Sequence, residues 1–175
     1  MDSKPELFSY GILTEGSDVR AHVGVASRSL YVFKTRDAIR LLQSTKRYQL
    51  ADAYQDGVNG RTATGYPVPW KDIPDIRRLP FSSYDWTTFA PTDTTTTKGR
   101  KAVEVVVCCL RLGRFPLFAD AKESDSTKLQ ITGTDIVVWH KCKIQVKCDW
   151  RCGEGPSCTG NIFLQLSERN PLHRI

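Results

Sequence analysis

Residues 133–147 (GTDIVVWHKCKIQVK) constrain the fold more than any other stretch of the chain. Ile136, Val137, Val138 and Trp139 are β-branched or aromatic, the types that suit a pleated surface, and Ile144 and Val146 alternate with Gln145 and Lys147. The pattern predicts two short strands joined by a tight polar turn. Side chains two apart on a strand share a face, so Gln145 and Lys147 point one way while Ile144 and Val146 point into a core. With Asp135 near its start, the hairpin presents an acid, an amide and an amine to one spot. Oxygen ligands hold a hard divalent cation and an ammonium steadies developing negative charge, so the trio suits phosphodiester chemistry. The same residues also suit an edge hairpin that carries Lys and Gln only to stay soluble and to discourage edge pairing.

The upstream segment bears on that choice. Residues 98–113 place Val103, Val106, Val107 and Leu110 at helical spacing and stop at Gly113, with Arg111 and Arg114 on either side. A helix is expected there despite the β-branched content, with Glu104, its one acid, beside the apolar stripe. Residues 114–118 (RFPLF) read as a short strand, and a polar loop with Asp120, Glu123 and Asp125 leads to the hairpin. After the hairpin, residues 159–166 (TGNIFLQL) open with a turn and continue as a third or fourth strand.

This order is a helix with Glu, a strand, a strand with Asp, a strand with Gln-x-Lys, then a Thr-Gly-Asn turn and a strand. It resembles the PD-(D/E)xK nuclease superfamily, in particular its Gln-bearing variants among homing endonucleases and phage nucleases, over about residues 98–166. The resemblance implies an α/β fold, with a mixed central sheet flanked by helices in a restriction-endonuclease-like core. It also implies a DNA endonuclease dependent on Mg2+ or Mn2+. By motif, Asp135 binds the metal, Gln145 stands where Glu is usual, Lys147 orients or activates the attacking water, and Glu104 completes the site. Gln145 is the departure: an amide carbonyl can ligate a cation but brings no charge, so metal binding is expected to be weaker.

The N-terminal half supplies elements of the kind such a core needs. Residues 29–33 (SLYVF) form a compact apolar strand, and Thr35 is expected to cap a helix over 36–43. Residues 54–69 read as a glycine-rich loop ending in a Pro-bounded extended segment. Residues 10–18 and 64–69 resemble pieces that follow the Thr-Gly-Asn strand in phage nucleases, but here they precede the hairpin. The expectation is one circularly permuted domain: 1–81 give a strand–helix–strand half, 82–97 a connector and 98–175 the catalytic half. The alternative is a separate recognition domain over 1–80. The connector is rich in Thr and Ser and poor in aliphatic residues, which disfavours independent order, although Trp86 and Phe89 can dock on the body.

Twenty-five basic against nineteen acidic residues give a formal charge of +6, a balance that favours polyanions. The candidates for nucleic-acid contact are Lys98, Arg100, Lys141, Lys143, Trp150 and Arg151, with Trp150 able to stack on a base or simply to cover the core. Asp149 is either an acid supporting the site or an exposed loop acid. Cys142, Cys148, Cys152 and Cys158 crowd beside His140, and a zinc site is the sharp alternative to reduced thiols, although the spacing lacks paired C-x2-C knuckles. His22, His140 and His173 show no triad spacing, and no P-loop or dinucleotide fingerprint occurs. No apolar run spans a membrane and no signal peptide is evident, so a cytoplasmic protein is expected. One site cuts one strand, so double-strand cleavage calls for a homodimer or higher homo-oligomer. The rival functions are a nuclease-like fold that binds DNA or protein without catalysis, and a zinc-stabilised interaction module.

Overall fold

The computed structural model of the chain describes residues 12–13, 16–54, 62–113, 117–119, 135–138 and 142–165. In chain order the elements are β1 (Asp18–Gly24), β2 (Ser29–Lys34), α1 (Thr35–Ser44), β3 (Ala51–Tyr54), β4 (Thr62–Pro69) and β5 (Arg77–Pro80). They are followed by α2 (Thr95–Leu112), β6 (Leu117–Ala119), β7 (Ile136–Val138), β8 (Cys142–Cys148) and β9 (Asn161–Leu164). The fold is mixed α/β. A six-stranded sheet runs β5-β2-β1-β8-β7-β6, and a three-stranded sheet runs β3-β4-β9. β1 and β8 are parallel and the other described pairings are antiparallel, so the large sheet is mixed and interleaves strands from both halves of the chain. No described helix is long and apolar enough to cross a membrane.

Alternation sets the layers. Val19, Ala21 and Val23 of β1 share a face with Leu30 and Val32 of β2 and with Ile144 and Val146 of β8, and all are buried in one cluster with α2. α2 contributes Ala102, Val103, Val105, Val106, Val107, Cys109 and Leu110, a broader stripe than the four expected positions. On the opposite face, Tyr31 and Phe33 pack with Ala38 and Leu42 of α1, Val68 of β4, and Ile162 and Leu164 of β9. The large sheet therefore lies between α2 on one side and α1 with the small sheet on the other.

Several expectations change in detail. The helix begins at Thr95, three residues before Lys98, because Thr94 Oγ1 accepts the Thr97 N–H at 3.2 Å and provides the N-cap. Thr35 is not a cap: Lys34 holds that position without a side-chain bond, and Thr35 is a buried first-turn residue. The connector is ordered. Trp86 and Phe89 are buried and stacked, and Trp86 Nε1 donates to the Phe81 carbonyl at 2.6 Å. Two docked aromatics thus offset the entropy that the Thr-rich composition alone could not. The Thr-Gly-Asn strand, β9, does not extend the hairpin's sheet; it pairs antiparallel with β4 in the small sheet. The loop before it turns the chain across the large sheet through positive φ at Gly153, Ser157 and Gly160. The expected strand over 114–118 is seen as β6, whose described part starts at Leu117.

Gly153 is where this turn depends on glycine. Its φ is +74°, and an added Cβ would overlap the ring of fully buried Tyr31, whose hydroxyl accepts the Glu154 N–H at 2.9 Å. Gly153→Ala is expected to lower unfolding free energy by about 2–4 kcal/mol in urea titrations. Gly99→Ala, in α2 with nothing near the added methyl, is expected to raise it by roughly 0.5–1 kcal/mol.

Candidate functional site

The register of three neighbouring strands builds a polar strip on the sheet face away from α2. Ile136 lies opposite Ile144, which sets Asp135 against Gln145, and Gln145 lies against Arg20 of β1. One step along, Lys147 lies against His22, which lies opposite Tyr31 of β2. Asp135, Gln145 and Arg20 thus form one row and Lys147 and His22 the next, at the spacing of paired strands. Sequence alternation placed Gln145 and Lys147 together correctly, and Ile144 and Val146 are buried on the other face as expected.

Backbone contacts fix the acid. The Asp135 N–H donates to the Ile144 carbonyl at 3.0 Å, and Asp135 Oδ2 accepts the Val146 N–H at 2.8 Å. Burial raises the Asp135 carboxyl above its ordinary value, while the Val146 N–H and the Lys147 ammonium pull it back. Burial and the Arg20 guanidinium lower the Lys147 ammonium, and Asp135 opposes them. Arg20 is 1% exposed, and burial brings its guanidinium down to about 10, against the pull of Asp18.

Glu104 is not brought to this group. It lies on the exposed side of α2, between buried Val103 and Val105, and α2 covers the opposite sheet face. Among the described residues no three His, Cys, Asp or Glu side chains gather as a metal site.

The histidine dismissed for lack of a triad spacing sits in the strip. His22 is 1% exposed, and its Nδ1 lies 3.2 Å from Asp149 Oδ2, which also accepts the Phe163 N–H at 3.0 Å. Because Oδ2 acts as an acceptor, the proton is assigned to Nδ1, and Nε2 keeps its lone pair. Nε2 makes no hydrogen bond. Asp149 is therefore not a free loop acid: it is half-buried and ties β1 to β9 through His22, the strand neighbour of Lys147. The period-2 run of Val19, Ala21 and Val23 around Arg20 and His22 was the signal that would have found this strand.

The nucleic-acid candidates divide. Lys98, Trp150 and Arg151 line, with Lys147 and His22, a cavity of about 580 Å³ between the end of β8, the first turns of α2, and β9. Lys98 Nζ sits 5.1 Å from the Trp150 ring centre, and Arg151 Nε donates to the Ser157 carbonyl at 2.7 Å. Arg100 is exposed on α2 outside this wall, and Lys143 is exposed two positions before Gln145 on β8. Lys141, with His140, lies outside the described residues.

The four-thiolate zinc site does not form. Cys142 and Cys148 occupy the two ends of β8, roughly 20 Å apart at about 3.3 Å per residue, so one ion cannot bind both. Burial also raises the thiols of Cys142 and Cys152, and that of Cys148 to about 11.

Burial lowers the His22 imidazole below its ordinary value, with Arg20 and Lys147 adding to the shift and Asp149 opposing it. The unfolded chain protonates His22 near pH 6.5, the folded chain only at lower pH, so stability falls as pH drops through that window. Urea unfolding between about pH 7 and about pH 5 is expected to show this slope, and His22→Gln to make it shallower. An unchanged slope in the variant would show that His22 is not the group responsible. No protein-family model matches the chain, and neither does any curated protein or solved structure.

Proposed function

We propose that the chain is a divalent-metal-dependent deoxyribonuclease that hydrolyses phosphodiester bonds from Asp135, Gln145 and Lys147, on a restriction-endonuclease-like core. The observation that carries this reading is the shared sheet face of the three: Asp135 lies opposite Gln145, Lys147 lies one row on, and Lys147 and Asp135 act on each other's protonation. An arrangement kept only for edge solubility would leave these side chains exposed, whereas all three are half-buried in the interior of the sheet order.

The donors fit a hard cation of modest affinity. Asp135 and Gln145 offer oxygen atoms, and Mg2+ is commonly held by one or two carboxylates with waters and substrate phosphates filling its other positions. The Asp135 carboxylate has lone pairs beyond the one that meets Val146. Bound there, Mg2+ or Mn2+ would supply a Lewis acid to the phosphoryl oxygen. Lys147 holds an ammonium against the negative charge that builds on phosphate as water attacks. Its lowered proton affinity also suits Nζ to exchange a proton with the attacking water. In the net reaction the water oxygen bonds to phosphorus, the bridging P–O bond breaks, and the departing oxygen takes a proton. Arg20, behind Gln145, adds positive potential to the same row.

DNA is the expected polyanion, given the net charge of +6, and the cytoplasm the expected place of action. Cutting both strands would take two chains. A second reading, binding without cleavage, is favoured by one observation: Asp135 has two cations, Arg20 and Lys147, beside it, while Asp18 acts on Arg20 and Asp149 is engaged by His22.

Supercoiled plasmid incubated with Mg2+ or Mn2+ is expected to be nicked, and Asp135→Asn and Lys147→Met each to lower the rate at least roughly a hundredfold. Glu104→Ala is expected to stay within about twofold of the parent, as its exposure on α2 requires. Plasmid retained on gels but never nicked would sink the hydrolase and leave the binder.

A further inference from the structure

The cavity beside Lys147 has more chemistry than the proposed hydrolysis uses. Among the described residues three cations, Lys98, Lys147 and Arg151, line it, and the one carboxylate, Asp149, is already engaged by His22 and the Phe163 N–H. Such a wall favours an anion. Trp150 and Phe163, both half-buried, add ring surface, so the ligand that fits is an anion with a flat π-face. At the back lies His22, 1% exposed, whose Nε2 has a lone pair and no hydrogen-bond partner. A neutral imidazole of this kind accepts from an N–H donor, and nucleobases carry such donors on their pairing edges.

Size narrows the choice. A cavity of about 580 Å³ lies in the range that encloses a single small ligand. Duplex DNA turns phosphates and groove edges outward and keeps base faces stacked within, so it cannot offer a π-face to Trp150 without extruding a nucleotide. Lys98 Nζ lies over the Trp150 ring, 5.1 Å from its centre, so a base stacking there would displace the ammonium towards the nucleotide's phosphate.

We propose that this cavity receives one unstacked nucleotide of single-stranded DNA, its base against Trp150 and Phe163 and its phosphate towards Lys98, Lys147 and Arg151. The inference rests on the hydrolase reading only in making Lys147 the shared border between the nucleotide and the bond that is cut.

The test is made on the full chain with EDTA present, so that cleavage plays no part. By fluorescence anisotropy, a short labelled oligodeoxythymidylate is expected to bind at least about tenfold more tightly than a duplex of equal length. Trp150→Ala is expected to weaken the single strand about tenfold and the duplex less than about twofold. Because Trp150 also packs against Phe89, its loss can disturb the fold, so the unaltered protein is probed as well. Photo-cross-linking to a strand carrying 5-bromodeoxyuridine is expected to place the adduct on Trp150 or Phe163. Equal affinity for the two DNA forms, or an adduct mapped away from the cavity wall, overturns the inference. Plasmid nicking alongside either result leaves the hydrolase standing. Strand-selective binding with the adduct in place but no nicking supports the cavity and overturns the hydrolase.

Discussion

β1 is buried on both faces, and it carries Arg20 and His22 into the interior. A strand covered on both sides is ordinarily a continuous apolar run, and burying an ion costs several kcal/mol even after relaxation. The two side chains meet that cost differently. Arg20 stays charged at neutral pH even with its guanidinium lowered to about 10, so its surroundings must be polar, and Asp18, Gln145 and Asp135 lie on its side of the sheet. His22 sheds its charge instead, and then needs only a partner for Nδ1–H, which Asp149 provides. The polar strip follows from β1 being central.

That choice of partner ties the second layer to the first. Asp149 donates its N–H to the Val23 carbonyl and accepts from Phe163 N, so one residue joins β1 to β9. The following loop continues the attachment through Glu154 N–H on the Tyr31 hydroxyl and Gly153 N–H on the Asn161 carbonyl. The small sheet is thereby anchored over the strip by hydrogen bonds at its margin as well as by the cluster of Tyr31, Phe33, Ile162 and Leu164. The cavity lies where these attachments and the first turns of α2 meet, which is why polar side chains line it.

The hairpin was legible because two alternating strands leave little freedom: once Ile144 and Val146 face a core, Gln145 and Lys147 must face away from it. α2 was legible from its apolar spacing, but its start was not, since the run of threonines offers several equivalent caps and only the fold selects Thr94. β1 escaped notice because Arg and His argue against a buried strand when read one at a time, although their alternation with Val and Ala fits one. The placement of β9 depended on long-range pairing with β4, which strand periodicity does not encode. Glu104 shows a related limit. Helical spacing puts it beside the apolar stripe, yet which face of the sheet receives that stripe is a matter of topology, and here it is the face opposite Asp135. Asp149 was ambiguous for the same reason, since its partners lie 127 and 14 residues away.

Charge within the strip bears on how metal and DNA would bind. A divalent ion at Asp135 and Gln145 would feel Arg20 and Lys147 as strand neighbours, a repulsion on the order of a few kcal/mol at such separations in a partly solvated site. One carboxylate recovers only part of this. A phosphate brought into the same place would be attracted by both cations and by the ion, and it would supply negative charge that the neutral amide of Gln145 does not. The site is therefore better matched to ion and phosphate together than to the ion alone, so each would raise the affinity for the other. In the proposed nuclease the amide at position 145 would shift part of the metal's coordination onto the substrate, and the requirement for DNA would become part of the requirement for metal.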